Sequence, residues 1–154
     1  MSSALHLRVS LAAQTLELRD GDLLVKRYPV STSKFGAGTE EGSYKTPLGS
    51  FRICEKFGAC APLHTIFRSR EPAGEWNPEQ PCEADLVVAR ILRLDGLDPD
   101  NANSYRRFIY IHGTNHEDRI STPASQGCVR MRNSDIAELF DLVPLQTPVT
   151  IRED

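Results

Sequence analysis

Long apolar runs are missing from this sequence. No stretch approaches the roughly 20 apolar residues that a bilayer-spanning helix requires, so no membrane insertion is expected. The opening segment, Met1 to Val9, has no basic stretch followed by an apolar one, because His6 and Arg8 interrupt it; it reads as a first strand rather than a signal peptide. An excess of one charge is missing too. The net charge is −3, which is not a surface for following phosphate backbones or anionic lipid, and nucleic acid is not an expected partner. Cysteine is sparse and unpaired in pattern: Cys54, Cys60, Cys82 and Cys128 form no C-x-x-C pair and no disulfide framework. With no export signal, the expected setting is cytoplasmic, with reduced thiols. Internal repeats and low-complexity stretches are absent as well.

What remains is an ordinary globular composition, 40% apolar and 25% charged over 154 residues. That length buries its own core without a metal or disulfide staple, so 1–154 reads as a single domain. Leu5, Leu7 and Val9 alternate with polar residues, and Gln14 to Arg19 alternates again. Asp20-Gly21 then supplies a turn before a return over Asp22 to Val30. Ser31 to Lys45, with Gly36, Gly38 and Gly42, reads as a surface loop, and Ser50 to Lys56 as a further strand. Pro62, Pro72, Pro78 and Pro81 make regular structure improbable over about 58–84; Trp76 is expected to pin that long irregular region to the core. Strands are expected again over Asp85 to Leu94, Tyr105 to Ile111 and Thr147 to Ile151. One helix is clear: Ile136, Leu139, Phe140 and Val143 make a single stripe, with Asn133, Ser134 or Asp135 as its cap and Pro144 as its stop. The fold class is mainly β, a sandwich or partly closed barrel with one helix towards the C-terminus.

Chemistry concentrates between Phe108 and Met131. A strand over 108–112 puts Phe108, Tyr110 and His112 on one face, with His112 at its end beside Gly113. Cys128 follows Gly127, so a substrate can approach the backbone and the Cys128 N–H can face an oxyanion. A thiol and an imidazole suffice for acyl transfer: the ring takes the thiol proton, the thiolate attacks a carbonyl, and the imidazolium protonates the leaving amine. His112 and His116 also form an H-x3-H spacing that could join Cys128 on zinc, but neither an H-E-x-x-H helix nor a C-x-x-C knuckle accompanies it, and no metal or cofactor is expected. Cys54 reads as a small core residue, His6 as a strand-surface one, and Glu40-Glu41 as solvated charge.

The strings Ile111-His112-Gly113-Thr114, Ser125-Gln126-Gly127-Cys128-Val129-Arg130-Met131 and Asn133-Ser134-Asp135, in that order, resemble the signature of the L,D-transpeptidase (YkuD) catalytic domain. The opening hairpin and Thr46-Pro47-Leu48-Gly49-Ser50-Phe51 are similar to that domain's first strands and T-P-x-G-x-F segment. The resemblance covers nearly the whole chain, with 58–104 least typical. It implies Cys128 as nucleophile and His112 as base, with the Gly113 carbonyl orienting the ring. Gly127 and the Cys128 N–H fall in the oxyanion region, and Ser125 on the motif's serine. Arg130 either holds a substrate carboxylate or braces the loop, and Tyr110 stands among the substrate-binding candidates. Gln126 departs from the commonest pattern, which has a second histidine there.

The implied substrates are peptidoglycan stem peptides, as a muropeptide or a precursor tetrapeptide, cut between the L-centre of residue 3, expected to be diaminopimelate, and terminal D-Ala through a thioester. Without a leader or anchor in the sequence, the leading expectation is a cytosolic L,D-carboxypeptidase of cell-wall recycling. The alternatives are an L,D-transpeptidase or D-amino-acid exchanger, and a non-catalytic muropeptide-binding module.

Overall fold

The computed structural model describes residues 4–80 and 82–154. Met1 to Ser3 of the expected first strand, and Pro81 of the expected irregular region, lie outside the described residues. Alternation decides the first part of the chain. Leu5–Ser10 (β1) and Thr15–Asp20 (β2) turn Leu7, Val9, Leu16 and Leu18 inward, each no more than 1% exposed. Each such side chain contributes about 1.5–3 kcal/mol on burial. Gly21, at φ +58, makes the turn into Leu23–Ser31 (β3). Gly49–Phe57 (β4), Thr65–Arg68 (β5), Glu71–Glu75 (β6), Val87–Gly96 (β7), Tyr110–Thr114 (β8), Val129–Met131 (β9) and Pro148–Arg152 (β10) complete the strands.

Hydrogen bonding runs β4–β10–β1–β2–β3–β9–β8–β7, and β7 pairs in turn with β4. Eight strands therefore return on themselves as a barrel. Two neighbouring pairs in this ring, β1–β10 and β8–β9, are parallel. Among the described residues the one α-helix, Asn133–Leu142 (α1), packs Ile136, Leu139 and Phe140 against β7 and β8, as its apolar stripe requires. The chain is thus mainly β with one helix towards the C-terminus.

Several local expectations are corrected. Residues 58–84 are not without regular structure: β5 and β6 form a hairpin that branches from β7 outside the ring. Pro72 and Gly74 are accommodated because β6 is an edge strand, where a missing N–H costs no ladder bond. Trp76 packs against the core and edge-on to His64 at 5.0 Å, so the loop after the hairpin is pinned as expected. Residues 105–108 are turn rather than strand; Phe108 adopts φ 57, and β8 starts only at Tyr110. Asp85 precedes β7 instead of opening it. None of the three candidate caps closes the helix start. Arg132 occupies that position, and the Asn133 N–H donates to Glu117 Oε2 (2.8 Å). The Ser31–Lys45 segment is only partly a surface loop, since Ser31, Thr32 and Ser33 are buried. Cys54 is half-buried, its thiol donating to Arg93 O (3.4 Å). Glu40 and Glu41 are exposed, with Glu41 paired to Arg106.

Candidate active site

Two adjacent parallel strands build the site. β8 and β9 align His112 with Arg130, and carrying that register back two residues sets Tyr110 beside Cys128. The Tyr110 N–H accordingly donates to Cys128 Sγ (3.3 Å), while the thiol donates to Phe108 O (3.3 Å). His112 lies within β8, not at its end, and shares its strand face with Tyr110, the two rings edge-on at 6.5 Å. The strand β9 between Cys128 and the helix was not foreseen; at three residues it is too short to announce itself by alternation.

His112 Nδ1 meets the Gly113 carbonyl at 2.5 Å. A carbonyl only accepts, so Nδ1 carries the proton and Nε2 keeps its lone pair. The expected orienting role of Gly113 thus has a geometric basis. Burial pushes the imidazole below its ordinary value, with the nearby Arg130 charge acting in the same direction and Asp85 opposing it. Burial also pushes the Cys128 thiol up to about 11, against the Tyr110 N–H and the Arg107 and Arg130 charges, which favour the thiolate. Both shifts favour the neutral form, of the thiol and of the ring.

The loop carrying Cys128 is braced from two sides. Ser125 Oγ donates to Cys128 O (2.7 Å) and accepts from the Gly127 N–H (3.3 Å). Thr46 Oγ1 donates to Gly127 O (3.0 Å) and accepts from the Ser33 N–H (3.0 Å). The threonine of the Thr46-Pro47-Leu48-Gly49 segment therefore holds the nucleophile loop directly. Gly127, at φ +122, adopts a conformation that a side chain would strain. With the Gly127 N–H engaged by Ser125, the Cys128 N–H is the donor available to an oxyanion.

Two adjoining hollows, of about 230 and 270 Å³, meet at Cys128. Both include Tyr44, Arg107 and Gln126. The first extends to Glu41 and Arg106, the second to Asp85, Tyr110 and His112. Larger depressions elsewhere on the surface contain neither Cys128 nor His112. Tyr110 lines the second hollow and its hydroxyl accepts from Arg70 Nη1 (3.0 Å), so the turn of the unforeseen β5–β6 hairpin braces a residue of the site.

Arg130 is 1% exposed and pairs through Nη1 with Asp85 Oδ1 (3.0 Å). It lines neither hollow, so no face of it is open to a substrate carboxylate; its surroundings match the bracing role. The second histidine of the H-x3-H spacing is spent otherwise. His116 Nε2 donates to Cys82 O (3.0 Å), and its Nδ1 faces the Arg130 guanidinium at 3.4 Å. Sequence reasoning passed over Arg107 and Asp85. Arg107, donating to Lys45 O (2.8 Å) and lining both hollows, stood inside the expected strand over Tyr105 to Ile111, and Asp85 opened the one expected over Asp85 to Leu94.

Comparison with known proteins gives a consistent picture. The family model described as "L,D-transpeptidase catalytic domain" (YkuD) matches residues 5–151. The putative L,D-transpeptidase YkuD of Bacillus subtilis is 31% identical over 146 residues, which are 95% of this chain and 65% of that protein. The probable L,D-transpeptidase YbiS of Escherichia coli is 51% identical over 103 residues, 61% of this chain and 34% of that one. This chain therefore spans about two thirds or less of the length of these relatives. Among solved structures, an L,D-transpeptidase from Mycobacterium smegmatis superposes with a TM-score of 0.64 at 14% identity, over 98% of this chain and 59% of that chain. The L,D-transpeptidase LdtMt1 in complex with imipenem gives 0.61 at 18% identity, over 98% and 60%. The fold is that of the L,D-transpeptidases.

Proposed function

Because this chain belongs to the L,D-transpeptidase catalytic-domain (YkuD) family, we propose that it transfers acyl groups between peptidoglycan stem peptides through a thioester on Cys128. The observation that carries this reading is the sharing of one hollow by Cys128 and a His112 whose tautomer leaves Nε2 basic. In the first half-reaction the Cys128 proton passes to His112 Nε2. The thiolate sulfur then bonds to the carbonyl carbon at the L-centre of residue 3. The resulting oxyanion accepts from the Cys128 N–H, and the C–N bond to terminal D-Ala breaks as the imidazolium protonates the departing amine. In the second half-reaction an acceptor amine gives a proton to His112, attacks the thioester, and returns Cys128 as the thiol.

Two hollows meeting at the sulfur favour an amine acceptor, one hollow for each partner, with Arg107 common to both and able to meet a carboxylate. Water in place of the amine gives an L,D-carboxypeptidase.

The test is product analysis by mass spectrometry with L-Ala-γ-D-Glu-diaminopimelate-D-Ala, with and without an added D-amino acid. Release of D-Ala that is lost in Cys128→Ala supports the acyl-transfer reading. A mass-shifted exchange product assigns transfer, and tripeptide alone assigns hydrolysis. Imipenem, held in complex by the structurally similar LdtMt1, is expected to leave an adduct on wild type and none on Cys128→Ala. Tetrapeptide processed equally by wild type and Cys128→Ala overturns the proposal.

A further inference from the structure

Asp85 sits in the wall of the hollow that holds Cys128 and His112, yet no motif points to it. It does not lie there by chance of a loose loop. The side chain of Asn115, three residues beyond His112, grips the backbone on both sides of it: Oδ1 accepts from the Leu86 N–H (3.0 Å), and Nδ2 donates to Ala84 O (2.9 Å) and Cys82 O (3.0 Å). His116 Nε2 donates to Cys82 O as well. The two residues following Thr114 in the His112 segment thus clip 82–86 against the site. One carboxylate oxygen pairs with the buried Arg130; the other has no protein partner among the described residues, and the side chain is 30% exposed.

We propose that Asp85 is a positioning residue of the reaction: held by the Asn115 clip and anchored on Arg130, its carboxylate supplies the negative charge that faces His112 when the ring takes the Cys128 proton. This rests on the acyl-transfer reading above. The charged and titratable groups around the ring are few. Cys128, Arg107, Tyr44 and Tyr110 share its hollow; Arg130 lies beside it on β9, with His116 beyond that guanidinium; Arg70 and Arg93 stand past the Tyr110 ring. Among these described residues Asp85 is the sole carboxylate. The thiolate, by contrast, has two cations to answer it, Arg107 and Arg130. Without Asp85 the imidazolium would face Arg130 uncompensated, while the thiolate would lose a repulsive neighbour. Both groups would then release their protons at lower pH.

That opposite consequence for the two partners makes the role separable from simple bracing. In Asp85→Asn, D-Ala release from the tetrapeptide is expected to fall roughly tenfold near neutral pH, the rate equivalent of losing one partly screened charge interaction. The alkaline limb of kcat/KM should move to lower pH. Iodoacetamide alkylation of Cys128, which needs only the thiolate, should persist and begin at lower pH than in wild type. Asp85→Glu should restore turnover in large part. Asn115→Ser keeps every charge, frees the clip and serves where Asp85→Asn fails to fold; it should displace the alkaline limb in the same direction. Parallel loss of turnover and alkylation with unchanged limbs, or unchanged limbs in Asn115→Ser, overturns the inference. If His112→Ala and Cys128→Ala retain turnover, the acyl-transfer reading itself falls. If they abolish it while the Asp85 and Asn115 variants leave the limbs unmoved, only the role of Asp85 falls.

Discussion

Replacing Gly113 with alanine tests the close packing around His112. Gly113 needs no unusual backbone angle; it needs space. A Cβ there would lie 2.2 Å from Asn133 Oδ1, 2.5 Å from Val88 O and 3.1 Å from Ala89 Cβ. Neither oxygen can retreat freely. Val88 is the direct partner of Gly113 across β7 and β8. Asn133, 1% exposed, accepts from the Thr114 N–H and donates to Thr114 O, both at 3.0 Å. Overpacking of this kind costs about 1–3 kcal/mol, and displacing Asn133 leaves a buried N–H unpaired at about 1–3 kcal/mol more. The sum, roughly 2–6 kcal/mol, lowers the melting temperature of a domain this size by about 4–24 °C. Activity should suffer separately, because the Gly113 carbonyl that fixes Nδ1 moves with the backbone. With the variant held well below its melting point, kcat for D-Ala release is expected to fall at least tenfold, as misplacing a reacting group does. Urea unfolding and turnover in the same buffer are the assay. Wild-type midpoint and wild-type kcat together would show that His112 is not packed as argued.

Other outcomes follow from the same geometry. Thr46→Val removes both the bond to Gly127 O and the acceptor for the Ser33 N–H, so it should cost about 1–3 kcal/mol in urea unfolding and lower kcat more than it raises KM. Lys56 Nζ donates to Phe140 O (2.7 Å) and Val143 O (2.8 Å) at the end of α1; Lys56→Met should destabilise by about 1–2 kcal/mol with turnover unchanged in the folded fraction. Stability should depend on pH from both sides. The folded chain holds the His112 proton less readily than the unfolded one, so melting temperature falls as pH drops below the ring's ordinary 6.5, and His112→Gln removes that loss. It holds the Cys128 proton more tightly, so melting temperature falls again as pH rises from the ordinary 9.0 towards about 11, and Cys128→Ala removes that part.

The strands with clean alternation, the Asp20-Gly21 turn and the stripe of α1 were legible because each is written within a few neighbouring residues. Cys128 and His112 were legible because their motifs are compact in sequence and each sits beside a glycine. The features that sequence reasoning missed share a different cause: they are decided by a partner far along the chain. The β5–β6 hairpin folds across a proline-rich segment because β7 offers an edge to it. The three residues of β9 are a strand only because β3 and β8 flank them. Arg107 and Asp85 carry no local signal at all, and they reach the thiol only through the turns before β7 and β8.

The placement of β10 between β1 and β4 has a kinetic consequence. Residues 148–152 must insert beside a strand formed from residues 5–10, so the last seam joins segments separated by most of the chain. Such distant pairing is paid for in loop entropy before it returns any contact energy, and folding on the millisecond-to-second scale of all-β domains is expected. Truncation ahead of Pro148 would leave two unzipped margins, on β1 and β4, each a template for another molecule. Refolding of such a truncated chain should therefore become concentration-dependent and prone to precipitation, even though the thiol, the ring and every residue between them are still present.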